Sequence, residues 1–240
     1  MSYKRRAPYN PVRVPHAMSA STEFFDAVKK GDVSAVREWL EKDSSLVNAR
    51  TEKGFSPVTV AAYYGQEDVL RTMLEWGPAM TVHEASLAGD LNRVWELVEG
   101  DSRLANDTSS PDGFPPLGLA AHKGRIEVVK YLISKGADVN FAAPETGFTA
   151  LTGAIAGGHA DVVRVLLAAG ANVNHRYEEN RFSPLIEAAG DNEPEIIELL
   201  LDAGADVRAR TNDGKSALTL AVEKGHGEVA EILRRHGATP

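Results

Sequence analysis

Between Arg125 and Gly136 the apolar residues Ile126, Val129, Leu132 and Ile133 recur with helical spacing, which predicts an amphipathic helix stopped by Gly136. The run before it, PPLGLAAHKG (115–124), is a shorter apolar segment, read as a helix that ends at Gly124. After it, GADVN at 136–140 leads through polar residues to the pair Gly147-Phe148, a span long enough for a turn and too short for another helix.

This order of elements returns with a period of 33–34 residues. The copies read GFSPVTVAAYYGQEDVLRTMLEWG (54–77), GFPPLGLAAHKGRIEVVKYLISKG (113–136), GFTALTGAIAGGHADVVRVLLAAG (147–170), RFSPLIEAAGDNEPEIIELLLDAG (181–204) and GKSALTLAVEKGHGEVAEILRRHG (214–237). Ser56, Thr149, Ser183 and Ser216 stand where a helix N-cap is needed, and Pro57, Pro116 and Pro184 at or beside the first helical position. Gly65, Gly124, Gly158, Asn192 and Gly225 are placed to end each first helix in the left-handed conformation, asparagine being the best substitute for glycine there. A unit of two short helices leaves apolar surface uncovered, so stacking on neighbours must complete the core.

The pattern resembles the ankyrin repeat, most closely at GADVN (136–140), GANVN (170–174) and GADVR (204–208). The histidine of that family's signature is present at His83, and Thr59, Gly118, Thr152, Ile186 and Thr219 replace it elsewhere. The resemblance covers about residues 22–238 and implies an all-α solenoid of about seven repeats, at 22–50, 51–80, 81–106, 107–140, 141–174, 175–207 and 208–240. The first copy begins directly with the helix TEFFDAVKKG, and Glu228, Glu231, Arg234 and Arg235 give the last a polar outer face, as suits end caps. The third copy is irregular: Gly65 and Gly89 are only 24 residues apart, so its hairpin should be nearly absent and the stack should kink there. Trp76 and Trp95 fall at helix positions that are polar in other copies, and we expect them to pack where that hairpin is missing, an exposed partner patch being the alternative.

Composition narrows the chemistry. With no cysteine, disulfides, thiolate nucleophiles and cysteine-ligated metals are excluded. A net charge of −8 argues against nucleic-acid or anionic-membrane binding, and no apolar run is long enough to span a bilayer or serve as a secretory signal, so a cytoplasmic location is expected. Lys4, Arg5, Arg6 and Arg13 nonetheless make residues 1–20 basic, and Pro8, Pro11 and Pro15 disfavour a helix there. That stretch is expected to be a loosely ordered extension or, alternatively, an internal competitor lying in the concave groove.

No Gly-x-Ser-x-Gly occurs, and the Gly-Lys-Ser at 214–216 lacks the leading glycine of a phosphate loop, Ala209 standing there. The seven histidines include no i, i+4 pair, and the acidic residues are scattered along second helices, so neither a metal, a cofactor nor catalysis is expected. The resemblance implies instead protein binding through the concave face made by hairpin tips and first helices. The positions there are Phe55, Tyr63, Tyr64, Phe114, His122, Lys123, Phe148, Arg176, Tyr177, Phe182 and Lys215. A recess floored by Ala156, Gly157 and Gly190 and flanked by Phe148 and Phe182 is expected, taking an acidic or mixed-charge segment of another protein. An adaptor or regulator, acting as a monomer, is thus the first reading, an inhibitor or immunity protein for one enzyme the second, and an enzyme of unknown class the third.

Overall fold

A computed structural model describes residues 20–110, 113–144, 146–177, 179 and 181–239. The basic N-terminal stretch therefore lies, up to residue 19, outside the described residues. The chain forms helix–turn–helix pairs in order: α1 (Ala20–Lys30) with α2 (Val33–Lys42), α3 (Pro57–Tyr63) with α4 (Glu67–Glu75), α5 (Val82–Ala88) with α6 (Leu91–Gly100), and α7 (Pro116–His122) with α8 (Ile126–Ser134). There follow α9 (Ala150–Ala156) with α10 (Ala160–Ala168), α11 (Pro184–Asp191) with α12 (Pro194–Asp202), and α13 (Ala217–Glu223) with α14 (Gly227–Arg235). The only extended pairing among the described residues is an isolated bridge between Arg210 and Ser216.

Helix ends follow from local chemistry. The hydroxyls of Ser56, Thr149, Ser183 and Ser216 accept from the N–H groups of Thr59, Thr152, Ile186 and Thr219, satisfying donors that the first turn leaves free. Asn192, at φ +61°, ends α11 as glycines end most other first helices.

The first helices stack into one row and the second helices into another. A continuous core runs between the rows, with Phe24, Leu40, Met73, Leu117, Leu132, Leu151, Leu166, Ile186 and Ile196 fully buried, each contributing roughly 1.5–3 kcal/mol. Asparagine clamps reinforce the stack: the amides of Asn106, Asn140 and Asn174 donate to the carbonyls of Gly136, Gly170 and Gly204 at 3.0–3.1 Å and accept from Asp138, Asn172 and Asp206 at 2.7–2.8 Å. Two of them, Asn140 and Asn174, close the GADVN and GANVN stretches of the sequence pattern and are therefore bolts between repeats.

Hairpin tips are closed by backbone bonds such as Thr51 N–H to Phe55 at 3.0 Å and Ala143 N–H to Phe148 at 2.8 Å. In the third repeat the chain passes from Gly77 straight to Thr81, which caps α5 in a reciprocal pair with Glu84. One finger of the row is thus missing, and the outer row is thinnest at the same place, between α4 and α6. The tryptophans divide: Trp76 packs against the core, whereas Trp95 is 53% exposed on α6 and does not fill the gap. It lines a shallow outer depression with Leu91 and Tyr131 instead.

Candidate functional site

Tyr63 and Tyr64 end α3 exposed, at 39% and 58%, and Tyr63 lines three adjoining depressions. The first, of about 380 Å³, occupies the place of the missing hairpin and is lined by Arg50, Phe55, His83, Glu84 and Asp107. The second, of about 270 Å³, lies over α7 and α9, with Phe114, Phe148 and His122 as walls and Gly118, Gly153 and Ala156 as floor. A third, broader groove runs back past Phe55 and Tyr64 to Asp26 and Lys29 on α1.

Electrostatics differ between the two cavities. In the hairpin gap Arg50 forms an ion pair with Glu84, whose other oxygen accepts from the Thr81 N–H at 2.9 Å. Burial pushes the Glu84 carboxyl up, but hydrogen bonds from Arg50, Ser56 and Thr81 outweigh it and hold the group below its usual range. His83 Nε2 donates to the Asp107 carbonyl at 2.8 Å, which ties α5 to the chain entering the fourth repeat. At the second cavity burial, with Lys123 beside it, lowers His122 and favours the neutral imidazole. Burial likewise lowers Lys123, whose Nζ lies 5.7 Å from the Tyr63 ring centre.

The structure brings together Phe55, Tyr63, Tyr64, Phe114, His122, Lys123 and Phe148; Phe55 meets Tyr63 at 6.1 Å and Phe114 meets Phe148 at 6.5 Å, both edge to face. The remaining candidates lie elsewhere and are otherwise engaged. Arg176 donates to the carbonyls of Arg181 and Arg210, bracing two hairpins. Tyr177 is 7% exposed, stacked beside Phe148 at 5.1 Å, so the neighbouring hairpin removes it from contact. Phe182 is half-buried against the core, and Lys215 pairs with Glu223 at 2.7 Å.

The recess itself also sits one repeat earlier than expected. A Cβ on Gly157 would lie 2.6 Å from the His122 carbonyl, so that glycine permits close packing, and Lys224 covers Gly190 by donating to its carbonyl at 2.7 Å. Two features escaped the sequence reading. Gly118 and Gly153 were signalled only as glycines inside helices, where glycine is unfavourable and needs a reason. Glu187 on α11 gave no signal: burial, with Asp191 adding, pushes its carboxyl up to about 7, although the Tyr177 hydroxyl donates to it at 3.0 Å. The histidines act as braces, His159 Nε2 donating to the His122 carbonyl at 3.2 Å and His226 Nδ1 to that of Ala189 at 3.0 Å. Among the described residues no cluster of three His, Asp or Glu is placed to hold a metal ion, and no helix is long and apolar enough to cross a membrane.

The family model for ankyrin repeats (3 copies) matches residues 82–177 and 175–240. Among curated proteins, an ankyrin repeat and KH domain-containing protein of Caenorhabditis briggsae is 30% identical over 137 residues, covering 55% of this chain and 5% of that protein. An ankyrin repeat and SAM domain-containing protein 6 of Rattus norvegicus is 37% identical over 121 residues, 50% of this chain and 11% of its own length. The DNA-binding protein RFXANK of Homo sapiens is 32% identical over 68 residues, 28% of this chain and 26% of its own. The chain thus spans about a quarter or less of each of these relatives.

Proposed function

Because the chain belongs to the ankyrin repeat family, whose repeats indicate a protein–protein interaction module, we propose that it is a non-catalytic adaptor or regulator binding a partner through its concave face. The observation that carries this reading is the convergence of three depressions on Tyr63, with Phe55, Phe114 and Phe148 half-exposed around it. Clustered aromatic rings with a few cations are the composition of contact surfaces, where large rigid side chains bury much area at little entropic cost. The contact is centred on repeats two to five, since Arg176, Tyr177 and Lys215 are engaged within the fold.

The surroundings of Tyr63 are aromatic with mixed charge, which favours an adaptor over an inhibitor that matches one strongly charged enzyme cleft. A photo-reactive phenylalanine analogue placed at Tyr64 is expected to give a discrete adduct in the native cell, and the same analogue at Trp95 none. Adducts from Trp95 alone would move the contact to the outer face and end this reading.

A further inference from the structure

The recess over α7 and α9 exists because two adjacent helices present no side chain at the same spot, Gly118 and Gly153. Beyond Gly118 a Cβ would meet only carbons of Pro115 and Phe114, at 3.7 and 3.9 Å, so the place is open and not filled by a close backbone. Its lining is mostly aromatic and aliphatic, Tyr63, Phe114, Leu119 and Phe148, with His122 and Thr149 as its polar members, so an apolar side chain fits most of it. A space of about 270 Å³ takes one large aliphatic or aromatic side chain.

Lys123 supplies the second half of the argument. It is half-buried beside the recess, with its Nζ over the Tyr63 ring and no carboxylate of a described residue within ion-pair reach. Its neighbour Arg125 is satisfied by Glu67 at 2.7 Å and by the Leu87 carbonyl at 3.2 Å. A partly desolvated cation that feels the Glu67 carboxylate only at a distance, that carboxylate being paired with Arg125, is matched by an anion brought from outside.

We infer that the recess receives a large apolar side chain from an extended segment of the partner, and that an aspartate or glutamate within about three residues of it meets the Lys123 ammonium. The inference rests on the concave face being the contact surface. The chain's own N-terminal stretch does not fit, because Lys4, Arg5, Arg6 and Arg13 come with no acid before residue 20.

Displayed random dodecapeptides selected on the full chain provide the test, with enriched peptides then synthesised and titrated by fluorescence anisotropy. Enriched sequences should pair Leu, Phe, Met or Trp with a nearby acid, and binding should weaken at higher salt. Gly118→Leu, which fills the floor, and Lys123→Glu should each weaken binding by about tenfold or more. Gly118→Leu must keep the parental melting temperature or exceed it; Lys123→Glu, at a half-buried side chain outside the recess floor, serves as the independent variant under the same requirement. Peptides lacking acids, or insensitive to both substitutions, overturn the proposal, as does a failure to enrich any peptide. Binding that responds instead to changes at Phe55 or Tyr64 sinks the recess and spares the concave reading. A concentration-dependent dimer in sedimentation that Gly118→Leu dissolves would give the site to a second copy and refute a peptide partner.

Discussion

Arg181 holds φ +58° at the hairpin position where Gly54, Gly113, Gly147 and Gly214 stand in other repeats. An L-residue with a Cβ is strained in that region, and what Arg181 gives the hairpin is backbone: its N–H donates to the Tyr177 carbonyl at 2.9 Å and its carbonyl accepts from Arg176. Arg181→Gly keeps that carbonyl, relieves the strain and adds some unfolded-state entropy. We expect a net gain of roughly 0.5–1 kcal/mol, read as a higher urea midpoint with unchanged slope. A lower midpoint would show that the side chain contributes more than its backbone costs. At this scale the sequence is legible only in part. It marked Arg181 as the odd member of a glycine series, and it marked every aromatic after the turn. It could not tell Tyr177, which packs on the preceding hairpin at Gly147 and Phe148, from Phe148, which remains half-exposed, because that depends on how neighbouring fingers lean. Lys215 was chosen for its position alone, and its engagement by Glu223, eight residues on, is a rotamer outcome with no sequence signature.

Among elements, the turn between the two helices of each repeat repeats a conformation while its surroundings change. Gly65 and Gly124 have nearly equal φ, +68° and +65°, but no atom lies within 4 Å of a Cβ built on Gly65, whereas one on Gly124 would sit 2.7 Å from the His159 ring. That ring donates to the His122 carbonyl and so holds the fifth repeat on the fourth. Gly65→Ala should cost about 1 kcal/mol through backbone strain alone, and Gly124→Ala about 2–3 kcal/mol because the brace must also move. Equal losses in denaturation would mean that His159 swings aside freely. Helix starts and stops were legible because caps, prolines and left-handed glycines act within a few residues. The missing finger was legible too, as a 24-residue spacing between Gly65 and Gly89. What a gap leaves behind was not: Arg50, Glu84, His83 and Asp107 come from three repeats, and no local pattern shows that they meet. The recess was placed one repeat late because a glycine in the sequence does not show what approaches it: the His122 carbonyl closes on Gly157, whereas Gly118 stays open.

Across the whole molecule, a solenoid joins neighbouring repeats only, so each junction has its own stability and its own response to conditions. Two carboxylates far apart in the array, Glu84 buried and Glu187 half-buried, respond to pH with opposite sign. Glu84, between the second and third repeats, has its folded pKa held below the ordinary carboxylate value of 4.5. Its contribution is therefore present above pH 4.5 and lost as pH falls through the folded value. Glu187, in the sixth repeat, is raised from 4.5 to about 7. Its contribution is fully present below pH 4.5 and lost as pH rises from there to about 7, because the folded chain holds a proton that the unfolded chain releases. Amide hydrogen exchange should show α3 and α5 losing protection below pH 4.5 while α11 and α13 keep theirs, and α11 losing protection first as pH rises toward 8. Glu187→Gln should flatten the alkaline side and raise stability at pH 8 by on the order of 1–3 kcal/mol, leaving the acid side unchanged. Glu84→Gln should weaken the second junction at pH 7 by about 1–3 kcal/mol, since one amide oxygen replaces two carboxylate oxygens and cannot serve both the Thr81 N–H and Arg50, which also loses its opposite charge. Uniform loss of protection along the array at both extremes would contradict the local account, because it would mean that the seven repeats unfold as one unit.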